Sequence, residues 1–461
     1  MPDCSAHPAR LRRYGSAGRQ HDTALAGSGR NLSSALFVLN LLGAGPEVLG
    51  PVPDWGEELQ RYAHRKSQVD AWVKRVGDAF AAAGNEKHIP PVQLVTVPAG
   101  RLDQLIVASD PKVRSALEHF RRHIDDGGIF EGDRGSLKAI LDKLEGLSPE
   151  QLDEFIRSLG DDDLRTWNAK IEGGSYVPWE ENGLDEGDRV ALANLLFQNL
   201  SPDQLARLTK LMPVLQPDPK SDEIDDGFTW KSLSGLPLYG DTGRPKPSDI
   251  DQGDLGDCWF LAALGSVAQR DPRFIMNHIR ANPNGTYTVT FYRDGKPVEI
   301  TVTDDVPYSS KPGFDYPYDH DQPGTGKWAM IYEKAYAQFR GGYGNIEGGF
   351  GNTALEDITG QPATKTGLGD DPLTDIDRRL RQGYAMTAGT NSKFPIFGTE
   401  YPDHHKLVAG HEYIIQSVDT KHHTITLMNP WGTDGSAPHV VTLTEQEFED
   451  NFREVSYTYL D

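Results

Sequence analysis

The amino-acid sequence predicts an α+β protein, in which an all-α N-terminal region precedes a core of two subdomains. Three observations favour this class. Between residues 100 and 216, polar and apolar side chains follow a helical pattern. An acidic, proline-containing stretch interrupts the chain at 217–227. Beyond it, glycine and aromatic residues become more frequent, and short segments alternate between apolar and polar side chains as half-buried strands do.

Composition and charge narrow the class of protein. A chain of 461 residues has room for two or three domains. The formal net charge of −22 argues against nucleic acid and acidic membrane surfaces as partners, because both select basic protein faces. The two cysteines, Cys4 and Cys258, exclude a disulfide framework and a thiolate zinc site.

No segment has the length of a membrane span, which needs about 20 consecutive apolar residues. The most apolar stretch, 32–50, is short and contains Asn40, and we interpret it as a buried helix rather than a targeting segment. The sequence therefore predicts that the protein is not integral to a membrane. We expect it to be cytoplasmic or exported by a route that needs no signal peptide.

The N-terminal half divides into two parts. Residues 1–30 are polar and rich in Gly, Ala and Ser, which predicts disorder. Residues 31–216 are predicted to form a helical region that binds a partner or masks an active site. Asp54 caps a predicted helix over 54–82. Its start, DWGEEL, resembles short hairpins with a Trp-x-Gly signature from a specialised bacterial secretion system, although an ordinary amphipathic helix is the preferred interpretation.

Two segments of this region, LSPEQLDEFI and LSPDQLARLT, look like copies of one unit. Each has a Ser, a Pro at the first helical position and a Gln three residues after the Ser. This order predicts a capping box, in which the Ser caps the helix and the Gln reaches back: Ser148 with Gln151, and Ser201 with Gln204. The repeat indicates a helical scaffold or docking module.

A linker is predicted at 217–230, and the segments after it read as strands and helices. An Asp294-Gly295 turn predicts a hairpin over 286–307. A helix is expected around Trp328–Phe339, and further strands are expected at about 411–418, 423–428 and 438–444.

Cys258 stands in the segment QGDLGDCWFLAALGSVA at 252–268, between a glycine-containing loop and a run with helical spacing. We therefore place it in the first turn of a helix. Unpaired backbone N–H groups and the helix dipole favour a thiolate at that position. The cysteine is accordingly predicted to be a nucleophile rather than part of an apolar core.

Other segments offer a base, an orienting group and an oxyanion donor. His411 follows Gly410 at the start of a predicted strand, and Asn429 lies 18 positions later on the next one. Trp431 is close enough in sequence to shield a contact between them from water. Gln252 can direct its amide N–H to the point that the backbone N–H of the cysteine faces. Cys, then His about 150 residues later, then Asn is the order in papain-like thiol proteases.

Four motifs carry a more specific resemblance. The cysteine segment, KWAMIYEKAYAQFRGGYGNIEGG at 327–349, GHEYII and NPWG resemble segments of the calpain family of cysteine proteases, over about residues 245 to 435. The resemblance implies a papain-like core, in which a helical subdomain at 231–348 holds the cysteine at a helix N-terminus. An antiparallel β subdomain at 349–461 would hold the histidine and the asparagine. It also implies a cysteine endopeptidase of bacterial type, without an EF-hand domain, that hydrolyses protein or peptide substrates through an acyl-enzyme.

Carried over residue by residue, the resemblance assigns five roles: Cys258 as nucleophile, His411 as general base and acid, Asn429 as the group that orients His411, Gln252 in the oxyanion hole, and Trp431 as the shield of the site. Two glycines, Gly349 and Gly410, match residues that line the family's substrate cleft. A missing side chain there would let a peptide backbone approach.

Calcium is predicted to be weakly required or not required, and no other cofactor is expected. Asp249 matches one acidic ligand of the family's first calcium site, but Gly326-Lys327 stands where a second acidic ligand should precede WAMIYEKAY. TDGSAP replaces the family's Glu-Trp-Thr-Gly stretch after NPWG, and the chain has no EF-hand loop. Asp304 and Asp305 are interpreted as a solvated turn rather than replacement ligands.

Three alternatives to a simple endopeptidase remain open at this point. A helical carrier followed by an enzymatic domain suits a secreted bacterial effector or toxin with the same chemistry. A transglutaminase-type acyl transferase uses a related scaffold, but normally with Asp as the third member. A catalytically silent binding scaffold is the least favoured alternative, because the Cys, His, Asn and Gln are all present.

Overall fold

The computed structural model describes residues 110–124, 134–173, 183–220, 228–309, 325–391, 407–433 and 437–460. The chain divides into two compact units, Met1–Val107 and Ala108–Asp461, and the fold below is that of the second. The predicted disorder at 1–30, the predicted helix at 54–82, Cys4 and the apolar stretch at 32–50 lie outside the described residues.

In the ranges that the structure describes, the first part of this unit is a module of six helices with its own apolar core. The helices are α1 Pro111–Ile124, α2 Arg134–Leu144, α3 Pro149–Ser158, α4 Asp161–Glu172, α5 Glu186–Asn199 and α6 Pro202–Leu211. Phe120, Phe155 and Trp167 pack edge to face at its centre, and all three are buried. Each helix buries one stripe of apolar residues against the others, which explains the three- and four-residue spacing of the sequence.

The repeated helix starts do not behave alike. At α3, the Ser148 hydroxyl accepts from the Gln151 backbone N–H and the Gln151 side chain accepts from the Ser148 N–H, which confirms the predicted capping box. At α6 the prediction is wrong, because Ser201 makes no side-chain cap. Its hydroxyl instead donates to Asp153 Oδ1 at 2.6 Å, so this serine joins two helices.

A layer of strands and buried helices follows the module. Its elements are β1 Phe228–Ser232, α7 Cys258–Arg270, α8 Pro272–His278, β2 Ile279–Ala281, β3 Tyr287–Arg293, β4 Lys296–Val302, β5 Asp305–Ser309 and α9 Trp328–Arg340. β3 and β4 pair antiparallel across the predicted Asp294-Gly295 turn, and β2 completes their three-stranded sheet. β1 pairs with β5, so the end of the predicted linker is a strand.

The last part of the chain is an antiparallel sheet of six strands in the order β10-β9-β8-β7-β11-β6. Its elements are α10 Gly351–Thr359, β6 Ala363–Gly367, α11 Pro372–Gln382, β7 Tyr384–Thr390, β8 Glu412–Asp419, β9 Thr424–Met428, β10 Val440–Thr444, α12 Glu445–Asn451 and β11 Phe452–Tyr459. β8 and β9 pair antiparallel across a short turn, so the residue before β8 and the residue after β9 come close together.

Helix α7 holds the two layers together. It packs on β7, β8 and α10, and a Cβ on Gly265 would lie 2.4 Å from Ile414 of β8. Its last turn is tied to the sheet by polar contacts. Gln269 Nε2 donates to the Ile415 carbonyl at 2.9 Å, and Arg270 Nε donates to the Gly383 carbonyl at 2.7 Å.

Asp304 and Asp305 are not a solvated turn. The buried ammonium groups of Lys327 and Lys334 lie 2.8 Å and 2.6 Å from their respective carboxylates. Lysine is almost never fully buried unless it is paired, so each carboxylate has a structural partner that the linear sequence did not indicate. Within the described residues, no helix is long and apolar enough to cross a membrane.

Candidate active site

Cys258 is the first residue of α7 and is partly exposed. The backbone N–H groups of Glu412 and Trp259 lower the pKa of its thiol. Burial raises the pKa more strongly, and the nearby Glu412 and Asp257 carboxyls add to this, so the pKa of the Cys258 thiol is about 12. The expected thiolate is therefore not the resting form, because desolvation outweighs the helix N-terminus.

His411 immediately precedes β8, on the segment whose next residue contacts the thiol. Its backbone N–H donates to Thr390 Oγ1 at 2.9 Å, and its carbonyl accepts from the Thr390 N–H at 2.9 Å. These contacts fix the backbone beside β7. The imidazole is buried, and burial lowers the pKa of His411 to about 4 even though the Asn429 side chain raises it. The ring is therefore neutral at neutral pH.

Asn429 lies directly after β9 and is fully buried. Its Oδ1 accepts from the Trp431 backbone N–H at 3.1 Å and lies 2.8 Å from His411 Nε2. A carboxamide oxygen can only accept, so the proton of the neutral ring is on Nε2 and the lone pair is on Nδ1. The rings of Trp431 and His411 have centroids 5.0 Å apart, which places the indole beside the His–Asn contact.

Gln252 lies in the loop before α7, and its backbone N–H donates to the Pro430 carbonyl at 2.7 Å. Its side-chain Nε2 donates to the Leu255 carbonyl at 2.6 Å. A carboxamide nitrogen carries two N–H groups, so the second N–H is not accounted for by this contact. The backbone hydrogen bond to Pro430 joins the loop before α7 to the turn that carries Asn429.

The two glycines that were matched to the family's substrate cleft, Gly349 and Gly410, are explained by different local structure. A Cβ on Gly349 would lie 2.3 Å from the Trp259 indole, so the tryptophan occupies the space that a side chain would need. The expected reason, approach of a substrate backbone, is not required to explain this glycine. Gly410 has φ +61°, a left-handed conformation that favours glycine, and it is exposed just before His411.

The residues matched to a calcium site make contacts within the protein. Asp249 Oδ2 accepts from the Trp328 indole N–H and from the Lys246 backbone N–H, both at 2.9 Å. A Cβ on Gly326 would lie 2.5 Å from the Gly240 backbone nitrogen, so no side chain fits there. Across the described ranges, no group of three or more His, Cys, Asp or Glu residues could hold a metal ion.

The sequence contains two pairs of adjacent histidines, His404-His405 and His422-His423, which could be considered as alternatives to His411 or as metal ligands. His422 and His423 are exposed, and each pairs with one carboxylate, Asp419 and Glu445 respectively. His404 and His405 lie outside the described residues.

Sequence reasoning missed three buried acidic residues, two of which raise the pKa of the Cys258 thiol. Asp257, Glu333 and Glu412 are all buried, and Asp257 and Glu412 both act on the Cys258 pKa. Asp257 was visible as the residue directly before the cysteine. Nothing in the sequence signals that Glu333 of α9 lies near Asp257, because the two are 76 positions apart in the chain.

A helix that starts at a cysteine and packs on an antiparallel sheet bearing the histidine and asparagine is the papain-like arrangement of cysteine hydrolases. The sequence comparison gives a narrower class than the fold alone. Residues 216–437 match the sequence pattern of the calpain family cysteine proteases, which supports a cysteine-type endopeptidase domain in this part of the chain.

Individual calpains are similar to part of the chain. Calpain clp-4 of Caenorhabditis elegans is 32% identical over 203 residues, which cover 40% of this chain and 27% of that protein. Calpain-13 of Rattus norvegicus is 31% identical over 197 residues, covering 40% and 29%. The calpain-type cysteine protease DEK1 of Arabidopsis thaliana is 30% identical over 210 residues, covering 42% and 9%. The chain therefore spans less than a third of the length of these relatives.

Proposed function

We propose that the protein is a cysteine endopeptidase that hydrolyses protein substrates through a Cys258–His411–Asn429 triad and an acyl-enzyme. The observation that carries this proposal is the 2.8 Å contact between His411 Nε2 and Asn429 Oδ1. It leaves Nδ1 as the basic nitrogen of a neutral imidazole, on the segment that contacts the thiol. A base with that tautomer is what a neutral thiol needs in order to become a nucleophile.

In the first step, His411 Nδ1 takes the proton of the Cys258 thiol as the sulfur attacks the scissile carbonyl. The imidazolium that forms donates its Nε2–H to Asn429 and gives its other proton to the leaving amine. The same histidine then activates a water molecule that hydrolyses the thioester. Asn429 acts as the orienting group, since Trp431 and His411 both donate to its oxygen.

The negative oxygen of the tetrahedral intermediate would be bound by two donors. One is the backbone N–H at the start of α7, and the other is the second Nε2–H of Gln252. Such donors stabilise the transition state more than the ground state, and removing one typically costs about 10²- to 10³-fold in kcat. The hydrogen bond from Gln252 to Pro430 supports this assignment, because it holds the loop beside the Asn429 turn.

We further propose that calcium is not required to assemble this site. The Asp249 carboxylate has two N–H donors, and backbone fills the space beside Gly326. Direct hydrogen bonds from Gln252, Gln269 and Arg270 to the carbonyls of the six-stranded-sheet region join the two layers. These contacts support an assembly that needs no bridging ion.

We propose that the helical module is a scaffold of the catalytic domain rather than a mask. Asn194 of α5 donates to the Glu299 carbonyl at 2.8 Å and accepts from the Thr301 N–H at 2.6 Å. It therefore satisfies backbone groups of β4 in the way that another strand would. Its neighbour on α5, Gln198, donates to Thr301 Oγ1 at 2.8 Å. This contact surface is on β4, which is not one of the elements that carry Cys258, His411 or Asn429.

The test is cleavage of casein by the full chain, with and without a chelator. We expect cleavage by the unaltered protein and by Cys4→Ala, no cleavage by Cys258→Ala, and no effect of the chelator. Equal cleavage by Cys258→Ala would refute the nucleophile. Activity that disappears with the chelator and returns with calcium would refute calcium independence while leaving the protease assignment in place.

A further inference from the structure

Thr390, the last residue of β7, is hydrogen-bonded to His411 where the ladder between β7 and β8 stops. The register of these two strands ends at Gly389 opposite Glu412. In a regular antiparallel ladder, the next two residues would exchange two backbone hydrogen bonds. Here the Thr390 N–H donates to the His411 carbonyl at 2.9 Å, whereas the His411 N–H donates to the Thr390 hydroxyl, also at 2.9 Å. A side chain therefore takes the place of a backbone carbonyl beside the histidine.

The same hydroxyl holds the other end of the turn 408–411, which leads into the histidine. Its O–H donates to the Val408 carbonyl at 2.8 Å, and its oxygen lies 3.1 Å from the His411 carbonyl oxygen. A hydroxyl both accepts and donates, so one side chain can serve a backbone N–H and a backbone carbonyl at once. The Thr390 hydroxyl therefore fixes both ends of this turn.

The part of the chain that holds the turn is itself well anchored. Thr390 is 1% exposed, on a strand that lies between β8 and β11 in the six-stranded sheet. The N–H of the next residue, Asn391, donates to the Asn451 carbonyl at the end of α12 at 2.9 Å, and its carbonyl accepts from the Gly410 N–H at 3.0 Å. The turn 408–411 is therefore hydrogen-bonded to a fixed part of the sheet.

The position of the imidazole depends on this turn. His411 Nε2 lies 2.8 Å from Asn429 Oδ1, and the Tyr413 ring packs edge to face on the imidazole with centroids 5.1 Å apart. The hydroxyl of that tyrosine accepts from the Val408 N–H at 3.0 Å. The turn thus contacts both the threonine that holds the histidine backbone and the tyrosine that packs on its ring.

Loss of the Thr390 hydroxyl would leave two backbone groups without these partners, the His411 N–H and the Val408 carbonyl. An unsatisfied backbone group is costly, so the turn would shift until another group or water replaces the bond. A displacement of about 1 Å at a reacting group can lower a rate about 10²-fold. The hydroxyl is therefore placed to act on catalysis without touching the substrate.

We propose that Thr390 is a positioning residue, whose hydroxyl fixes the turn 408–411 and, through it, the imidazole of His411 against Asn429. This inference rests on the proposed proteolytic function, because it takes His411 as the base. The hydroxyl takes no part in proton transfer, since its contacts are with backbone groups.

The experiment removes the hydroxyl and keeps the shape of the side chain. In the full chain, Thr390→Val should lower kcat for a fluorogenic peptide amide about 10- to 100-fold, with KM changed less than about threefold. Thr390→Ser keeps the hydroxyl and should retain kcat within about threefold of the unaltered protein. Comparison of Thr390→Ala with Thr390→Ser repeats the test without the methyl group.

Thr458→Val is the matched control. Thr458 is also 1% exposed in the same sheet, and its hydroxyl donates to the Pro362 carbonyl at 3.0 Å. It pairs with Ala385, near the opposite end of β7 from Thr390. Both Thr→Val variants should have a lower Tm than the unaltered protein, but only Thr390→Val should have a lower kcat.

Alkylation of Cys258 shows whether the loss occurs through His411. In a Cys4→Ala background at pH 9, Thr390→Val should react with iodoacetamide within about threefold of the rate of the background protein, because a thiolate needs no base. An equal loss in alkylation and in hydrolysis would show that Thr390 acts on the nucleophile or on the whole fold, and would overturn the inference.

Three further results bear on the inference. Equal kcat values for Thr390→Ser and either variant without the hydroxyl would overturn it, and so would a loss confined to KM. An unaltered protein that hydrolyses neither the peptide nor casein would refute the proposed function itself, and the inference with it.

Discussion

The backbone N–H of Gln252 donates to the carbonyl of Pro430 at 2.7 Å, so the loop before the nucleophile and the turn after β9 are hydrogen-bonded directly. Close packing beside this bond reinforces it. Gly432 has φ +64°, and a Cβ there would lie 2.3 Å from the Asp251 carboxylate. This tight contact between two loops therefore helps to fix the position of Cys258 relative to Asn429.

Gly432→Ala should disrupt this contact. The new methyl group cannot fit against Asp251, so we expect the Asn429 turn to shift and kcat/KM to fall at least about tenfold. Gly243→Ala is a matched control, because Gly243 has φ +65° and no atoms within 4 Å of an added Cβ. Both variants should lose about 1 kcal/mol from the positive φ, but only Gly432→Ala should lose activity. Equal activities, measured with a fluorogenic peptide, would contradict the prediction.

Removal of the Asn429 side chain should impair catalysis more than binding. Asn429→Ala leaves the Nε2–H of His411 without its acceptor, so the tautomer with the proton on Nδ1 becomes populated as well. In molecules with that tautomer, Nδ1 cannot act as the base. We expect kcat to fall about 10- to 10³-fold with KM changed little. Asn345→Ala, at an exposed asparagine outside the site, serves as the comparison. A larger change in KM than in kcat would show that Asn429 acts on substrate binding.

The reactivity of the thiol should follow the pH. Burial raises the pKa of Cys258 to about 12 and lowers that of His411 to about 4, so neither group is charged at neutral pH. In a Cys4→Ala background, alkylation by iodoacetamide should be slow at pH 7 and should increase steeply up to at least pH 9, because only the thiolate reacts. A rate that is already constant between pH 5 and 7 would show a stable thiolate–imidazolium pair instead.

Glu412→Gln should stabilise the protein above neutral pH. Burial, with Glu454 nearby, raises the pKa of Glu412 from 4.5 to about 7. Since the folded state then binds the proton more tightly than the unfolded state, stability is highest below the unfolded pKa and decreases as the pH rises through 7. The resulting loss in the free energy of unfolding between low and high pH is roughly 3 kcal/mol.

Thermal unfolding at two pH values tests the direction of this pH dependence. The Tm of Glu412→Gln should exceed that of the unaltered protein at pH 8 and should approach it at pH 5. The glutamine oxygen can still accept from Thr387, which donates to Glu412 at 2.5 Å. Glu449→Gln, at an exposed position of α12, should show no such difference. A Tm advantage that is the same at both pH values would refute the titration of Glu412 as its cause.

Local signals predicted most of the elements that carry the site. The loop and the helical spacing around Cys258 predicted that a helix begins there, and α7 begins at Cys258. The Asp294-Gly295 turn predicted the β3–β4 hairpin, which the register confirms. These features depend on residues that are neighbours in the chain, so a single sequence contains the information. Ser201 shows the limit of local rules, since a tertiary contact with Asp153 replaced its expected cap.

The sequence by itself determined the kinds of groups available, their order and the elements on which they lie. Only the tertiary structure decided the protonation of those groups. A carboxylate or thiol in a printed sequence carries no information about its solvation, which depends on elements distant in the chain. Burial therefore raised the pKa of Asp257 and of Cys258, although the helix N-terminus favoured a thiolate. For the same reason, Asp304 and Asp305 became partners of buried lysines rather than a solvated turn.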